Sequence, residues 1–161
     1  LGLPSMSEII KSDPSLISFL EQNALWLVIE PKPIFNETQE HLVPWVSGET
    51  INFSKKIHYY LKFVKHKAIS ISPKSIPISW FEDYRSITDL NDLNEYMTYK
   101  NLNSIVYCGF HHGRCIVSNK VGMKMTFGLY NLYLKHDLSL ICWDDTWEHC
   151  DKRTRKYGSI I

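Results

Sequence analysis

"VYCGFHHGRCIVSNKV", residues 106–121, joins an apolar run to a turn that carries two glycines, two histidines and a second cysteine. The run from Ser104 to Gly109 reads as a strand buried on both faces. Gly109 and Gly113 suit a tight connection with close backbone approach. The chain from Gly113 to Asn131 then reads as a helix with Cys115 in its first turn. Cys108, His111, His112 and Cys115 are ligand types for zinc, but zinc cages ordinarily draw on two separated pairs. Here the pairs are contiguous, Cys108 closes a buried strand and the adjacent histidines point in different directions, so a four-way cage is not expected. As a nucleophile, Cys115 would gain from the positive end of the helix, which favours thiolate. Free N–H groups there can hold an oxyanion, and Arg114 would add to the field. As a small apolar filler at a helix start, Cys115 would do none of this. The stretch alone leaves the nucleophile and the filler both open.

Upstream, "SDPSLISFLEQN" reads as a helix capped by Asp13, with Pro14 at its first position. "ALWLVIE" is another doubly buried strand. "INFSKKIHYYLKFVKHK" gives an amphipathic helix with Phe53, Ile57, Tyr60, Leu61 and Val64 on its apolar stripe. "AISIS" is a short strand, residues 73–87 are irregular, and "TDLNDLNEYMTYKN" is a helix with Thr88 as cap. Downstream, "LSLICWDD" reads as a strand, "TWEHCDKRTRK" as a last helix and "GSII" as either a short edge strand or a frayed end. Strands alternating with helices predict a parallel sheet covered on both faces. Ligands in such folds sit at the carboxyl ends of strands. Residues 30–33, 109–115 and 144–146 occupy those ends and are expected to line one pocket.

The 161 residues suit a single domain, residues 1–161, large enough for a core without staples. A formal net charge of +1 provides no global field for nucleic acid or membrane, so neither is expected as a partner. The basic stretch "DKRTRKYG" reads as a solvated helix end. Cys108, Cys115, Cys142 and Cys150 all lie in the C-terminal third without the spacing of a disulfide framework. That argues for free thiols in a reducing, cytoplasmic setting. No apolar run reaches the ~18 residues of a membrane span, and no leader pattern opens the chain.

With these elements in order, the sequence resembles the isochorismatase-like cysteine hydrolases, a superfamily that includes nicotinamidases and other amidases. "SIVYCGFHHGRCIV" carries the family line of apolar strand, Gly, five residues, catalytic Cys and small apolar residue. "TDLNDLNEYMTYKNLNSIVYCG" is similar to the helix that feeds this strand. "ALWLVIEPKPIF" is similar to the first strand, which ends in a catalytic Asp in the family. "NKVGMKMTFGLYNLYLKHDLSLICWDD" is similar to the next helix and its strand ending in Asp. The resemblance spans roughly residues 24–146. It implies a three-layer α/β/α sandwich with a mostly parallel, Rossmann-like sheet, and a non-proline cis peptide at Phe110–His111. It implies Cys115 as nucleophile and Glu30 as base, with His111, His112, Gly113 and Arg114 supplying oxyanion and substrate contacts. A small-molecule substrate, no cofactor and no metal are expected, because the nicotinamidase Asp-x-His pattern is absent.

Two departures stand out. Glu30 replaces the family's Asp and sets the carboxylate one methylene further out, in chemistry sensitive to ~1 Å shifts. The family's lysine has no counterpart in register, so Lys74 or Arg85 would have to supply its charge. Two functions follow. One is amidase-like hydrolysis of a C–N bond through Cys115. The other is a catalytically degraded member serving as a binding or interaction module, with Trp143, Trp147 and Tyr130 as an exposed aromatic set. The family also implies a homo-oligomer. Asp145, Glu148 and His149 would share one helix face, read as solvated. His41, His58, His66 and His136 read as isolated surface or capping residues.

Overall fold

The structure is a computed structural model that describes residues 13–31, 46–71, 79–142 and 144–161. Helix α1 (Pro14–Asn23) opens as expected: the Asp13 side chain accepts from the Ser15 N–H at 2.9 Å, and Pro14 fills the first position. Strand β1 (Leu25–Ile29) follows directly. Then come α2 (Val46–Leu61), β2 (His66–Ser70), a 3-10 turn (Ser79–Phe81), β3 (Arg85–Ser86) and α3 (Leu90–Lys100). The remainder is β4 (Ser104–Phe110), the single turns α4 (Cys115–Ser118) and α5 (Met123–Thr126), β5 (Asn131–Leu140), α6 (Trp147–Arg155) and β6 (Ser159–Ile160). The six strands form one sheet in the order β3-β2-β1-β4-β5-β6, and every pairing is parallel.

The two-residue period of a strand divides the core into two. Trp26 and Val28 of β1 and Val106, Cys108 and Phe110 of β4 join one cluster with Leu20 of α1 and Ile57 and Leu61 of α2. Leu25, Leu27, Ile29, Ile105 and Tyr107 point the other way, against Leu93 and Met97 of α3 and Ile116 of α4. Both faces of β1 and β4 are therefore covered, which is why these strands are apolar throughout rather than alternating. Each fully buried Leu or Ile contributes roughly 1.5–3 kcal/mol of burial. The layers are those of the expected α/β/α sandwich.

Three local expectations are corrected. The single helix expected from residue 113 to 131 is broken after Ser118. Asn119 is extended (φ −57°, ψ 155°), and its side-chain oxygen accepts from the Val121 N–H at 2.9 Å and from the Ser70 hydroxyl at 3.2 Å. Such local bonds compete with helix continuation. The buried Tyr107 hydroxyl, 2.7 Å from the Val121 carbonyl, pins the break to β4. Helix α3 is capped by Asp89, whose carboxylate accepts from the Asp92 N–H at 2.8 Å, while Thr88 bonds back to the Asp92 carboxylate. Strand β5 starts at Asn131, well before residue 138. Leu134 lies opposite Tyr107 and Ser139 opposite Gly109, so β5 takes five steps where β4 takes two. That bulge places Lys135, His136 and Asp137 out of simple alternation, which hid the strand in the sequence.

Candidate active site

Connections run from β1 toward β2 and β3 on one side, and from β4 toward β5 and β6 on the other. The order reverses between β1 and β4, and the crevice beyond their carboxyl ends is where such sheets place ligands. Gly109 of β4 lies opposite Ile29 of β1 with φ +108°, and a Cβ there would sit 2.4 Å from the Ile29 carbonyl oxygen. Only glycine permits this approach. The Phe110–His111 peptide is cis, as the family resemblance implies.

Glu30 leaves β1 with φ +49°, in the left-handed region, and its N–H donates to the Ser70 carbonyl at 2.7 Å. For a residue other than Gly, Asn or Asp this conformation is uncommon and costs about 1–2 kcal/mol. The residue is buried, at 4% exposure. Cys115 is half-buried at the first position of α4. Ser70 at the end of β2 bonds to Asn119 just past α4 and accepts from the Glu30 N–H, which ties the far end of this short turn to the edge that carries Glu30. Cys108, Cys142 and Cys150 are each pushed toward the protonated thiol. Burial pushes the Cys108 thiol well up. Burial and then the Asp145 charge push Cys150 up to about 11, and burial and Asp144 raise Cys142. None of the four cysteines is in a disulfide.

The turn itself narrows the expected oxyanion donors. The His112 N–H donates to the Leu140 carbonyl at 2.9 Å, and the Arg114 N–H to the His111 carbonyl at 3.1 Å. Neither is available for a substrate. The N–H groups of Gly113 and Cys115 have no backbone partner among the described residues. The Arg114 guanidinium spans Asp144 at 3.0 Å and Asp145 at 2.8 Å, so its charge is compensated. Arg85 lies on the edge strand β3, 2.8 Å from Asp92 and over the Tyr96 ring, and is not brought to the crevice. Lys74 lies outside the described residues.

Residues 109–115 and 144–146 do meet. Asp145 is not on a solvated helix face: it precedes α6 and is 4% exposed at its side chain. Burial alone would raise its carboxyl. The Thr146 N–H, Arg114 and Arg153 outweigh that and hold it well below the usual carboxylate range. Arg153 bridges Asp145 to the Gly113 carbonyl, which ties α6 to the turn. Gly113, at φ +74°, backs so closely onto α6 that a Cβ would lie 2.6 Å from the Cys150 Cα.

Other expectations change with packing. His136 is 1% exposed, not a surface residue, because the β5 bulge turns it inward. Asp151 and Thr154 are also buried, so the basic stretch is solvated on one side only. His112 points into that network and away from Cys108, and the cage of four contiguous ligands does not assemble. His58 sits among Trp80, Phe81 and Tyr84, and His66 is half-buried on β2. Trp147 packs on His136, Tyr130 bonds to Asn94, and Trp143 and His41 lie outside the described residues.

A hollow of about 360 Å³ at the carboxyl edge includes Phe53, Lys56 and Leu140 in its lining. Phe53 packs edge-on to Phe110, and the Lys56 ammonium reaches the Asp137 carbonyl at 2.8 Å. Sequence reasoning did not single out Lys56, whose only signal was its place one residue before the apolar stripe position Ile57. A cavity of about 470 Å³ opens at the opposite edge among Asn103, Tyr130 and Gly158. Among the described residues, its lining holds no cysteine or carboxylate. No helix among the described residues is long and apolar enough to cross a membrane.

No family model and no curated protein matches the sequence. Solved structures match the fold. YcaC of Escherichia coli, described as an octameric hydrolase of unknown specificity, aligns at a TM-score of 0.60 and 11% identity, over 86% of this chain and 74% of its own. An isochorismatase-like hydrolase from Alkaliphilus metalliredigens aligns at 0.59 and 10% identity, over 87% of this chain and 93% of its own. YcaC from Pseudomonas aeruginosa, with hexane-2,5-diol and covalent acrylamide, aligns at 0.60 and 9% identity, over 86% and 75%. The fold is that of the isochorismatase-like hydrolases.

Proposed function

We propose that the chain is a small-molecule hydrolase that cleaves an amide-type C–N bond with Cys115 as nucleophile and Glu30 as base. The observation that carries this reading is Glu30 itself. A buried carboxylate residue is held in a costly left-handed conformation at the switch point of the sheet, beside the close approach of Gly109 to β1. Backbone strain of this kind persists where function maintains it. The Cys115 sulfur attacks the amide carbon, and its proton passes through Glu30 to the leaving nitrogen. The C–N bond breaks to leave a thioester. Glu30 then takes a proton from water, the resulting hydroxide attacks the thioester, and the thiol is restored. The N–H groups of Gly113 and Cys115 serve the oxyanion. Lys56 gives the neighbouring hollow a cationic rim in place of the family's lysine. The covalent acrylamide in the Pseudomonas aeruginosa structure agrees with a fold that takes up electrophiles. A cytoplasmic location with free thiols and self-association, after the octameric Escherichia coli protein, belong to the same reading.

The test is iodoacetamide labelling at neutral pH with peptide mass spectrometry, followed by a panel of small amides. Cys115 should be modified well before Cys108, Cys142 and Cys150, and a Cys115→Ala variant should hydrolyse none of the panel. Equal labelling of Cys115 and Cys142 would sink the proposal. A second reading, the degraded binding module, is supported by the pairing of Arg114 and Arg85 with carboxylates. Selective labelling with no hydrolysis of any amide would favour it.

A further inference from the structure

Three residues from separate elements meet beneath the turn that carries Cys115. His112 belongs to the turn after β4, His136 to the β5 bulge and Asp151 to α6. One ligand atom from each lies within 4.8 Å of the other two. His112 Nε2 is 2.6 Å from Asp151 Oδ1, and His136 Nε2 is 3.4 Å from the same oxygen. The His136 side chain is fully buried, its Nε2 has only the long Asp151 contact, and its Nδ1 has no hydrogen bond among the described residues. Burying a polar ring with one nitrogen unpaired and the other loosely paired is unfavourable, and native proteins rarely leave one so. The ring has turned into the cluster, where Trp147 covers it at a centroid distance of 4.6 Å.

We propose that His112, His136 and Asp151 bind a divalent cation of the zinc class, which clamps the turn bearing Cys115 to β5 and α6. Two imidazoles and a carboxylate are a donor set that zinc accepts, with a water or the second carboxylate oxygen in the fourth position. Bonds of about 2.0–2.1 Å in a tetrahedron separate ligand atoms by about 3.3 Å. The His136–Asp151 distance already matches this. The His112–Asp151 contact opens by about 0.7 Å when the cation replaces the proton between them. Thr154 Oγ1 lies 3.1 Å from His112 Nδ1, and with Nδ1–H donating to that hydroxyl in the cation-bound state, Nε2 is left as the ligand. The nearby positive charge of Arg153 is compensated by Asp145. This site is independent of the hydrolase reading and does not include Cys115.

The test uses the whole chain, stripped with dipicolinate, dialysed and titrated with Co²⁺ and then Zn²⁺. One equivalent of Co²⁺ should bind with the visible absorption of a tetrahedral ion and without a thiolate charge-transfer band. Zn²⁺ should displace it and raise the melting temperature. Asp151→Asn and His136→Gln, each checked for folding by circular dichroism, should weaken binding by ~100-fold or more. Cys115→Ser should bind as before. No cobalt spectrum and no thermal shift in the unmodified chain would overturn the proposal, whatever the variants do. So would a thiolate band, loss of binding in Cys115→Ser, or unchanged binding in both ligand variants.

Discussion

His112 and Cys115 stand on one turn, yet they face opposite surroundings. His112 points toward β5 and α6, where Asp151, Thr154, His136 and Trp147 enclose it. Cys115 begins α4, half-buried, and packs against the core cluster that includes Leu25, Leu27 and Ile29 of β1. The first side is cross-linked by polar contacts: Arg153 to Gly113, Arg114 to Asp144 and Asp145, and His112 to Asp151. The second is held by backbone geometry at Gly109 and Glu30 and by one side-chain bond, Ser70 to Asn119. A turn fixed rigidly on one flank can leave the other flank open to react. In the proposed mechanism, preorganisation of this kind would place Cys115 without a rearrangement during the reaction.

The strongest break of this comparison is Cys115→Ala. Under the proposed mechanism it should abolish covalent labelling at residue 115 and lower amide turnover on the order of 10⁴-fold, measured as kcat. Next is Glu30→Gln, which keeps the shape and removes the proposed base. It should slow turnover by ~10²–10⁴-fold with the fold intact by circular dichroism. Gly109→Ala attacks the geometry shared by both sides, because the added methyl meets the Ile29 carbonyl. Urea unfolding should show a loss of ~3 kcal/mol or more.

Asp145→Asn tests the cross-linked side alone, and should cost roughly 2 kcal/mol at neutral pH. Its sign with pH follows from linkage. The folded carboxyl is held below its unfolded value, so its contribution is present above pH ~4 and is lost as pH falls further. The variant's stability should therefore drop less steeply than that of the parent in acid, as read from denaturant midpoints at several pH values. The smallest effect belongs to Arg85→Ala. Its exposed pair with Asp92 is worth about 0–1 kcal/mol, and labelling of Cys115 should be unchanged. A marked fall in labelling would return Arg85 to the site.

Local chemistry made much of this readable in advance. Asp13 and Pro14 announced the start of α1, and the unbroken apolar runs at Leu25–Ile29 and Ser104–Phe110 announced strands covered on both faces. The spacing from Gly109 to Cys115 marked the turn and its family resemblance. Elsewhere the same reasoning was misled by local pattern. The polar residues of "YLKHD" masked β5 because a bulge frees a strand from alternation. The two residues of β3 are too few to show any period. Asp145 looked solvated because its partners, Arg114 and Arg153, lie far from it along the chain or across the start of a helix.

The chain by itself determined the periodicities, the caps and the glycines, hence the class of sheet and the edge at which a ligand would sit. Those properties depend on a residue and its near neighbours, which is why they survive without coordinates. Which cations were spent on carboxylates, which amides stayed open and which histidines became buried partners were decided only by tertiary packing. Each is a contact between segments remote in sequence, and its energy depends on burial and distance that no local pattern records.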